Sequence, residues 1–326
     1  MITFWYWIVV LAWVLFFVLE GFDFGVGVLQ PLLGRDDHER GAIVRTIGPF
    51  WDGNEVWLVA AIGVTFAAFP AWYSALLSGL YLPMAGLLLL LAVRGVTLEF
   101  RGKGPDAAWR RRCDLFLTLS STAIVLLWGA LLAVFVRGLA LGPDGSVRGN
   151  GLSRSLDPIL TPTALLGAAA ALFAALLLGA TFLALRTTGP VRRRARTLAR
   201  WLGAGGAAVL VIAGIATSSR LVLAAAALSL AAGMLARNGR EALAFTTTAL
   251  AVAGSVTAVL TAHGNVVLPS TLGDSWSLTM SAAAATPTAL TLLTEFGVVI
   301  LPGVLAYQAF SYVVFRRRVA SERVPS

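Results

Sequence analysis

Four acids stand where an apolar chain has least reason to keep them. Glu20 and Asp23 lie in EGFDFGVG, residues 20–27, between the apolar runs WYWIVVLAWVLFFVL and VLQPLL. Asp52 and Glu55 lie in FWDGNEVW, residues 50–57, at the start of the next apolar stretch. Ionised carboxylates are expensive inside a bilayer, and intramembrane acids mark ion or proton paths by default. Residues three apart share a helix face, so each pair points one way. If the two pairs face each other, four acids cluster in a medium of low dielectric and cannot all ionise. Carboxylates that hold protons are the parts of a relay. The plainer alternatives are neutral acids hydrogen-bonded to a neighbouring helix for the first pair, and a helix cap at the membrane interface for Asp52. A third motif, RGVTLEFR at 94–101, brings Arg94, Glu99 and Arg101. These could pair with the acids or with anionic cofactor groups such as propionates, or simply snorkel at the interface.

Other chemistries lack their residues. There are two histidines, His38 and His263, and neither falls in an apolar span. A bis-histidine haem within this chain is excluded, and the four methionines form no ligand set. A single cysteine, Cys113, rules out an internal disulfide and a cysteine-based metal site. No phosphate-binding glycine loop and no hydrolase triad is present. No metal site is expected, and any redox metal belongs to a partner.

The elements that must position the acids are membrane helices. Of 326 residues, 58% are hydrophobic and 13% charged, with a mean hydropathy of +0.83. Such a composition describes a polytopic membrane protein. The N-terminus lacks the basic region of a cleavable signal peptide, so the first apolar run is read as a retained span. Nine spans are expected, at about 4–33, 50–70, 73–94, 115–136, 160–185, 201–219, 221–236, 241–262 and 287–315. They form one domain over 1–326: helices one to four with the acid motifs (1–136), scaffold helices five to eight (160–262), and helix nine (287–315).

Charge placement sets the orientation. Of the 25 Lys and Arg residues, 21 follow spans one, three, five and seven or lie in the C-terminal tail. The positive-inside rule then puts the N-terminus outside and the C-terminus in the cytoplasm. The net charge of +9 is thus a topology signal and not a nucleic-acid footprint. Phe4, Trp5, Tyr6 and Trp7 suit an outer interfacial belt. Asp23 sits about ten residues, or about 15 Å, from the inner end of its helix. In GRDDHER, Asp36 is expected to cap a short helix, with Glu39 completing a capping box. Spans five to eight are rich in Ala, Leu and Gly, suited to close packing.

GFDFGVG, FWDGNEVWL and RGVTLEFR together resemble subunit II of the cytochrome bd-type quinol oxidases, a group that includes the cyanide-insensitive oxidases. LGRDDHER, PAWYSALLSGLYLPM, WRRRCD, LPSTLGDSWSLTM and LPGVLAYQAF extend the likeness in register, through helices one to four and helix nine. The chain departs from the family's usual pattern at Ala282–Thr286, Thr291 and Glu295. The resemblance implies an all-α protein of nine transmembrane helices, arranged as two four-helix bundles plus one peripheral helix. It implies a larger partner, subunit I, carrying two b-type haems and one d-type haem. That partner would oxidise quinol at the outer face and reduce dioxygen to water. It further implies that the acids matching Asp23 and Asp52 belong to a proton channel running from the cytoplasm, in a bacterial plasma membrane. It allows a structural quinone in this subunit and small accessory membrane subunits. A secondary transporter using the acids for ion coupling, and a purely structural subunit, are the rival readings.

Overall fold

The computed structural model describes residues 1–104, 106–315 and 317–321. Arg316 and Arg323, counted in the basic tail, lie outside the described residues. The first helix, α1 (Ile2–Leu33), is the centre of the molecule. It ends nearly two turns after EGFDFGVG, where Pro31 cannot supply an amide hydrogen and Gly34 terminates the run. Helix α2 (Asp37–Ile47) follows at once. Its start carries the expected cap, Asp36 accepting from the Glu39 amide at 2.8 Å. The return half of the box differs: the Glu39 carboxylate accepts from the Arg35 amide, at 2.8 Å, one residue before the cap.

Helix α3 (Trp51–Ala68) is the second apolar helix, and it does not lead straight into the third. Pro70 disfavours helical geometry at the residue before it, and Phe69 breaks out at φ −137°, ψ 64°. The chain then turns by 120° into α4 (Pro70–Gly79). The third long helix, α5, consequently runs from Tyr81 to Phe100 rather than over 73–94. Hydropathy alone reads PAWYSALLSG as part of a span; the proline break makes it a separate short helix. This shift places Arg94 inside α5, two turns from its end.

Helix α6 (Ala107–Arg137) also starts earlier than its apolar run. Asp106 caps it through the Trp109 amide at 2.6 Å, so WRRRCD is helical. After the short helix α7 (Gly151–Leu156) come α8 (Pro162–Arg186), α9 (Gly189–Ala216), α10 (Arg220–Arg237) and α11 (Glu241–Leu260). In α9 the basic stretch VRRRARTLAR extends the helix below its apolar part. Beyond α11, strands β1 (Val266–Leu268) and β2 (Leu278–Thr279) form a small antiparallel pair. This segment is tied to the loop after α6, with the Leu139 amide donating to the Pro269 carbonyl at 3.0 Å. Gly138 makes that approach at φ +95°, where a β-carbon would stand 2.3 Å from the Pro269 oxygen. A four-residue turn of helix, α12 (Met280–Ala283), leads to α13 (Pro287–Val314).

Among the described residues, eight helices are long and apolar enough to cross a membrane, or nine if the bent pair α3–α4 counts as one span. Helix α1 packs against α3, α6, α8 and α11. Its crossing with α8 is close enough that a β-carbon on Gly25 would lie 1.8 Å from the Ala175 carbonyl oxygen. Small residues at such crossings let backbones meet in a membrane protein. Helix α13 is peripheral, with Leu290 its one buried residue. Its tail nonetheless returns to the body, where Val319 exchanges backbone hydrogen bonds with Arg186 (2.8 Å) and Thr188 (3.1 Å).

Candidate functional site

Glu20 and Asp23 are both completely buried, on one face of α1. Each has acquired a different kind of partner. Arg94, also completely buried, reaches in from α5 and donates from Nη1 to Glu20 Oε1 at 2.7 Å. Its guanidinium lies 4.8 Å from the centre of the Phe24 ring, one turn along α1. Asp23 receives a neutral donor instead: Asn54 Nδ2, on α3, stands 2.7 Å from Asp23 Oδ2. The same nitrogen is 3.3 Å from the Leu19 carbonyl oxygen. On its other side, Asn54 Oδ1 accepts from Gln308 Nε2 at 3.0 Å and from the Tyr312 hydroxyl at 2.8 Å, both on α13.

The site is incompletely satisfied by protein. Glu20 Oε2, Asp23 Oδ1, and Arg94 Nε and Nη2 are buried with no hydrogen-bond partner among the described residues. Buried polar atoms are almost always met by protein or by ordered water, and exceptions cluster where protons or redox chemistry are handled. The ion pair cancels one charge of each sign, and among the described residues no cation is hydrogen-bonded to Asp23. An arrangement of this kind can accept a proton, hold it, and release it along a short line of groups.

The two acid pairs do not turn directly to one another. Residues 52 and 55 do share a face of α3, but the residue turned into the core is Asn54, about 200° from Asp52 around the helix. Asp52 is exposed on the flank of α3 and Glu55 is half-buried beside it. The Arg94 charge acts on Glu55 as well as on Asp23, so the two acid pairs are neighbours without being face to face. Nor is Asp52 a cap. Phe50 occupies the N-cap position, and Asp52 sits in the first turn with a charge suited to the helix dipole.

RGVTLEFR divides three ways. Arg94 takes an acid of this chain as its partner. Glu99 does not join the site; it is exposed and pairs with Lys103, four residues on, at 2.5 Å. Arg101 anchors a second polar layer at the basic end of the bundle. Its Nε is 2.5 Å from Asp114 Oδ1 on α6, and its Nη2 is 3.0 Å from Asp37 on α2. Gln30 of α1 also donates to Asp114. Close by, Arg194 of α9 reaches Glu39 at 2.5 Å. Burial opposes ionisation of Glu39, but the hydrogen bonds from Arg194 and the Arg35 amide outweigh it and hold the carboxyl below the usual range.

Sequence reasoning missed Gln30, Asp114, Gln308 and Tyr312. Their signal was present, since Asp114 closes WRRRCD and Gln308 interrupts LPGVLAYQAF, a polar residue in an apolar helix. What spacing could not say is which distant helix each would meet.

Neither histidine stands on a long helix. His38 lies on α2, outside the long helices, and His263 lies past α11, where its Nε2 is 2.8 Å from the Val136 carbonyl oxygen. Among the described residues no group of three His, Cys, Asp or Glu could hold a metal ion. A separate cavity of about 900 Å³ lies between α1, α6 and α8–α11, lined by residues such as Phe17, Trp128, Leu178, Ser229 and Val252.

The family model described as "Cytochrome bd terminal oxidase subunit II" matches residues 1–315. A Bacillus subtilis protein, cytochrome bd ubiquinol oxidase subunit 2, is 32% identical, with 97% of this chain and 96% of that protein aligned. The Escherichia coli K12 cytochrome bd-I ubiquinol oxidase subunit 2 is 29% identical over 95% of this chain and 92% of its own length. The fold is shared with a chain of the bd oxidase from Geobacillus thermodenitrificans, at a TM-score of 0.72 and 17% identity, over 94% and 96% of the two chains. A many-helix membrane body with two buried acids on its central helix therefore has a clear kinship: the chain belongs to the cytochrome bd terminal oxidase subunit II family.

Proposed function

We propose that this chain is the haem-free second subunit of a quinol:oxygen oxidoreductase (EC 7.1.1 class), and that its buried acids carry protons from the cytoplasm toward the haems of a larger partner. The relatives named above are subunits of ubiquinol oxidases, which supports the reaction class. Two b-type haems and one d-type haem in subunit I would supply electron transfer from quinol and reduction of dioxygen to water. Each dioxygen then consumes four protons and four electrons, and this chain's task is to deliver protons without carrying electrons.

One observation carries the reading. Glu20 and Asp23 are sealed inside the body on adjacent turns, and each keeps one carboxylate oxygen without a hydrogen-bond partner among the described residues. Asp52, exposed on the flank of α3, and half-buried Glu55 suit an entry on the basic side. From there Arg94 steadies Glu20, and Asp23 holds the proton in transit. The end of the bundle that gathers Arg40, Arg101, Arg110 and Arg194 is read as cytoplasmic, with the N-terminus outside. Packing of α1, α3, α5 and α6 on one side and α8–α11 on the other, with α13 apart, supports two four-helix bundles and a peripheral ninth helix. The large cavity suits a long apolar molecule such as the isoprenoid chain of a structural quinone; quinone extracted in fixed ratio from the purified complex, and lost in Ala170→Trp, tests that occupant.

A secondary transporter would carry broken helices at matching places in two repeats. Among the described residues the bent pair α3–α4 has no counterpart, which favours the oxidase. The deciding experiment is Asp23→Asn in the two-subunit complex. Quinol-driven oxygen consumption should fall by about 10-fold or more, about 1.4 kcal/mol in the barrier, with haem content retained. Full turnover would defeat the proton pathway, and loss of haem along with activity would indicate an assembly role instead.

A further inference from the structure

The contact between α13 and the acid site is the least explained feature of the fold. Helix α13 buries almost none of its length, yet it sends two polar side chains to one atom, Asn54 Oδ1. Tyr312 is steadied there by stacking on Phe50, with ring centres 4.7 Å apart at 17°. An asparagine amide has an acceptor side and a donor side, and its neighbours decide which way it turns. On the acceptor side stand two donors, the Tyr312 hydroxyl and Gln308 Nε2. On the donor side stands the Leu19 carbonyl, which can only accept, at 3.3 Å from Asn54 Nδ2. Turning the amide over would set two carbonyl oxygens against each other beside Leu19, and would require the Gln308 amide and the Tyr312 hydroxyl to turn with it. This preference does not depend on whether Asp23 carries a proton, because Leu19, Gln308 and Tyr312 do not change charge with it.

We infer that Tyr312 and Gln308 are positioning residues that act through Asn54 to fix which oxygen of Asp23 carries the proton. Asn54 offers its NH2 to Asp23 Oδ2 at 2.7 Å in either protonation state. A proton on Oδ2 would face that NH2. It therefore resides on Oδ1, the oxygen with no partner among the described residues. The proton is thereby held on a single side of the carboxyl group, away from α3. Glu20, on the same helix, and Arg94, on α5, are the charged groups that act on Asp23, and among the described residues neither is hydrogen-bonded to Asn54. The functional meaning of this arrangement rests on the proton-pathway reading; the arrangement itself does not.

Infrared spectroscopy of the intact two-subunit complex tests it. The Asp23 carboxyl stretch is assigned by its loss in Asp23→Asn and its shift in deuterium oxide. With one fixed proton position it should be a single narrow band. In Tyr312→Phe combined with Gln308→Leu, which leaves Asp23 and its neighbours on α1 and α5 intact, the amide of Asn54 keeps only the Leu19 carbonyl to orient it and turns more readily. The band should then shift or split in two, and oxygen consumption should fall severalfold with KM for quinol unchanged. If the double variant retains too little complex, Tyr312→Phe alone, which keeps the stacking ring, should shift the band in the same direction. A band unmoved in both variants, or no Asp23 carboxyl band at any pH, overturns the inference. Full turnover in Asp23→Asn together with a moved band would instead defeat the proton pathway and leave the positioning in place.

Discussion

Arg94 Nη1 lies 2.7 Å from Glu20 Oε1, and neither side chain has any exposed surface. The two residues are 74 positions apart in the chain and meet because α5 packs along α6, which in turn packs against α1. Removing one partner of a buried pair strands the other charge at about 3–5 kcal/mol, whereas replacing both by apolar groups is often neutral. Arg94→Leu should therefore sharply lower the yield and thermal stability of the complex. Adding Glu20→Leu to that variant should restore most of the loss. A double-mutant cycle on melting temperature measures this, and additive losses would mean the pair is not coupled.

The acids on α3 are expected to differ from those on α1. Asp52→Asn should lower oxygen consumption by about 10-fold, like Asp23→Asn, if entry is through that carboxyl. Because Asp52 is not the helix cap, Asp52→Ala should be no worse than Asp52→Asn in stability. Glu20→Gln should be milder in turnover, since it keeps a hydrogen-bond acceptor for Arg94. Equal activity of Asp52→Asn and wild type would move the entry point elsewhere.

Glu39 gives a pH signature at the basic end. Its carboxyl is held below the usual range by Arg194 and the Arg35 amide, against the opposing effect of burial. A group whose folded pKa is depressed contributes stability above its unfolded value, near 4.3, and loses it as pH falls through the folded value. The melting temperature of wild type should thus exceed that of Glu39→Gln at neutral pH. The gap should close as the pH drops below about 4. A gap that persists in acid would assign the effect to shape and not to charge.

The distribution of arginines sets an expectation for sidedness. A reporter fused after Arg318 should read cytoplasmic, and one inserted near Gly145 external. The two sites lie on opposite ends of the body: Val319 pairs with Thr187 at the foot of α8, and Gly145 follows the far end of α6. Both reporters on one side would contradict the nine-span path.

Local order along the chain was enough to establish several things. Apolar runs long enough to span a bilayer mark themselves by composition. The i, i+3 spacing puts Glu20 and Asp23 on one face of one helix wherever that helix goes. The cap at Asp36 is equally local. Tertiary structure alone decided the rest. Spacing tells which residues share a face but not how a helix is rotated about its axis, and that rotation made Asn54, rather than Asp52 or Glu55, the group that meets Asp23. The break at Pro70 was written in the sequence but masked by continuous hydropathy, and it alone shifts Arg94 from a helix end into the core. Gln30, Arg101 and Asp114 converge from three helices, and Gln308 and Tyr312 reach Asn54 across more than 250 residues. Such pairings are chosen by packing, where a buried polar group must find its partner on whichever helix lies alongside.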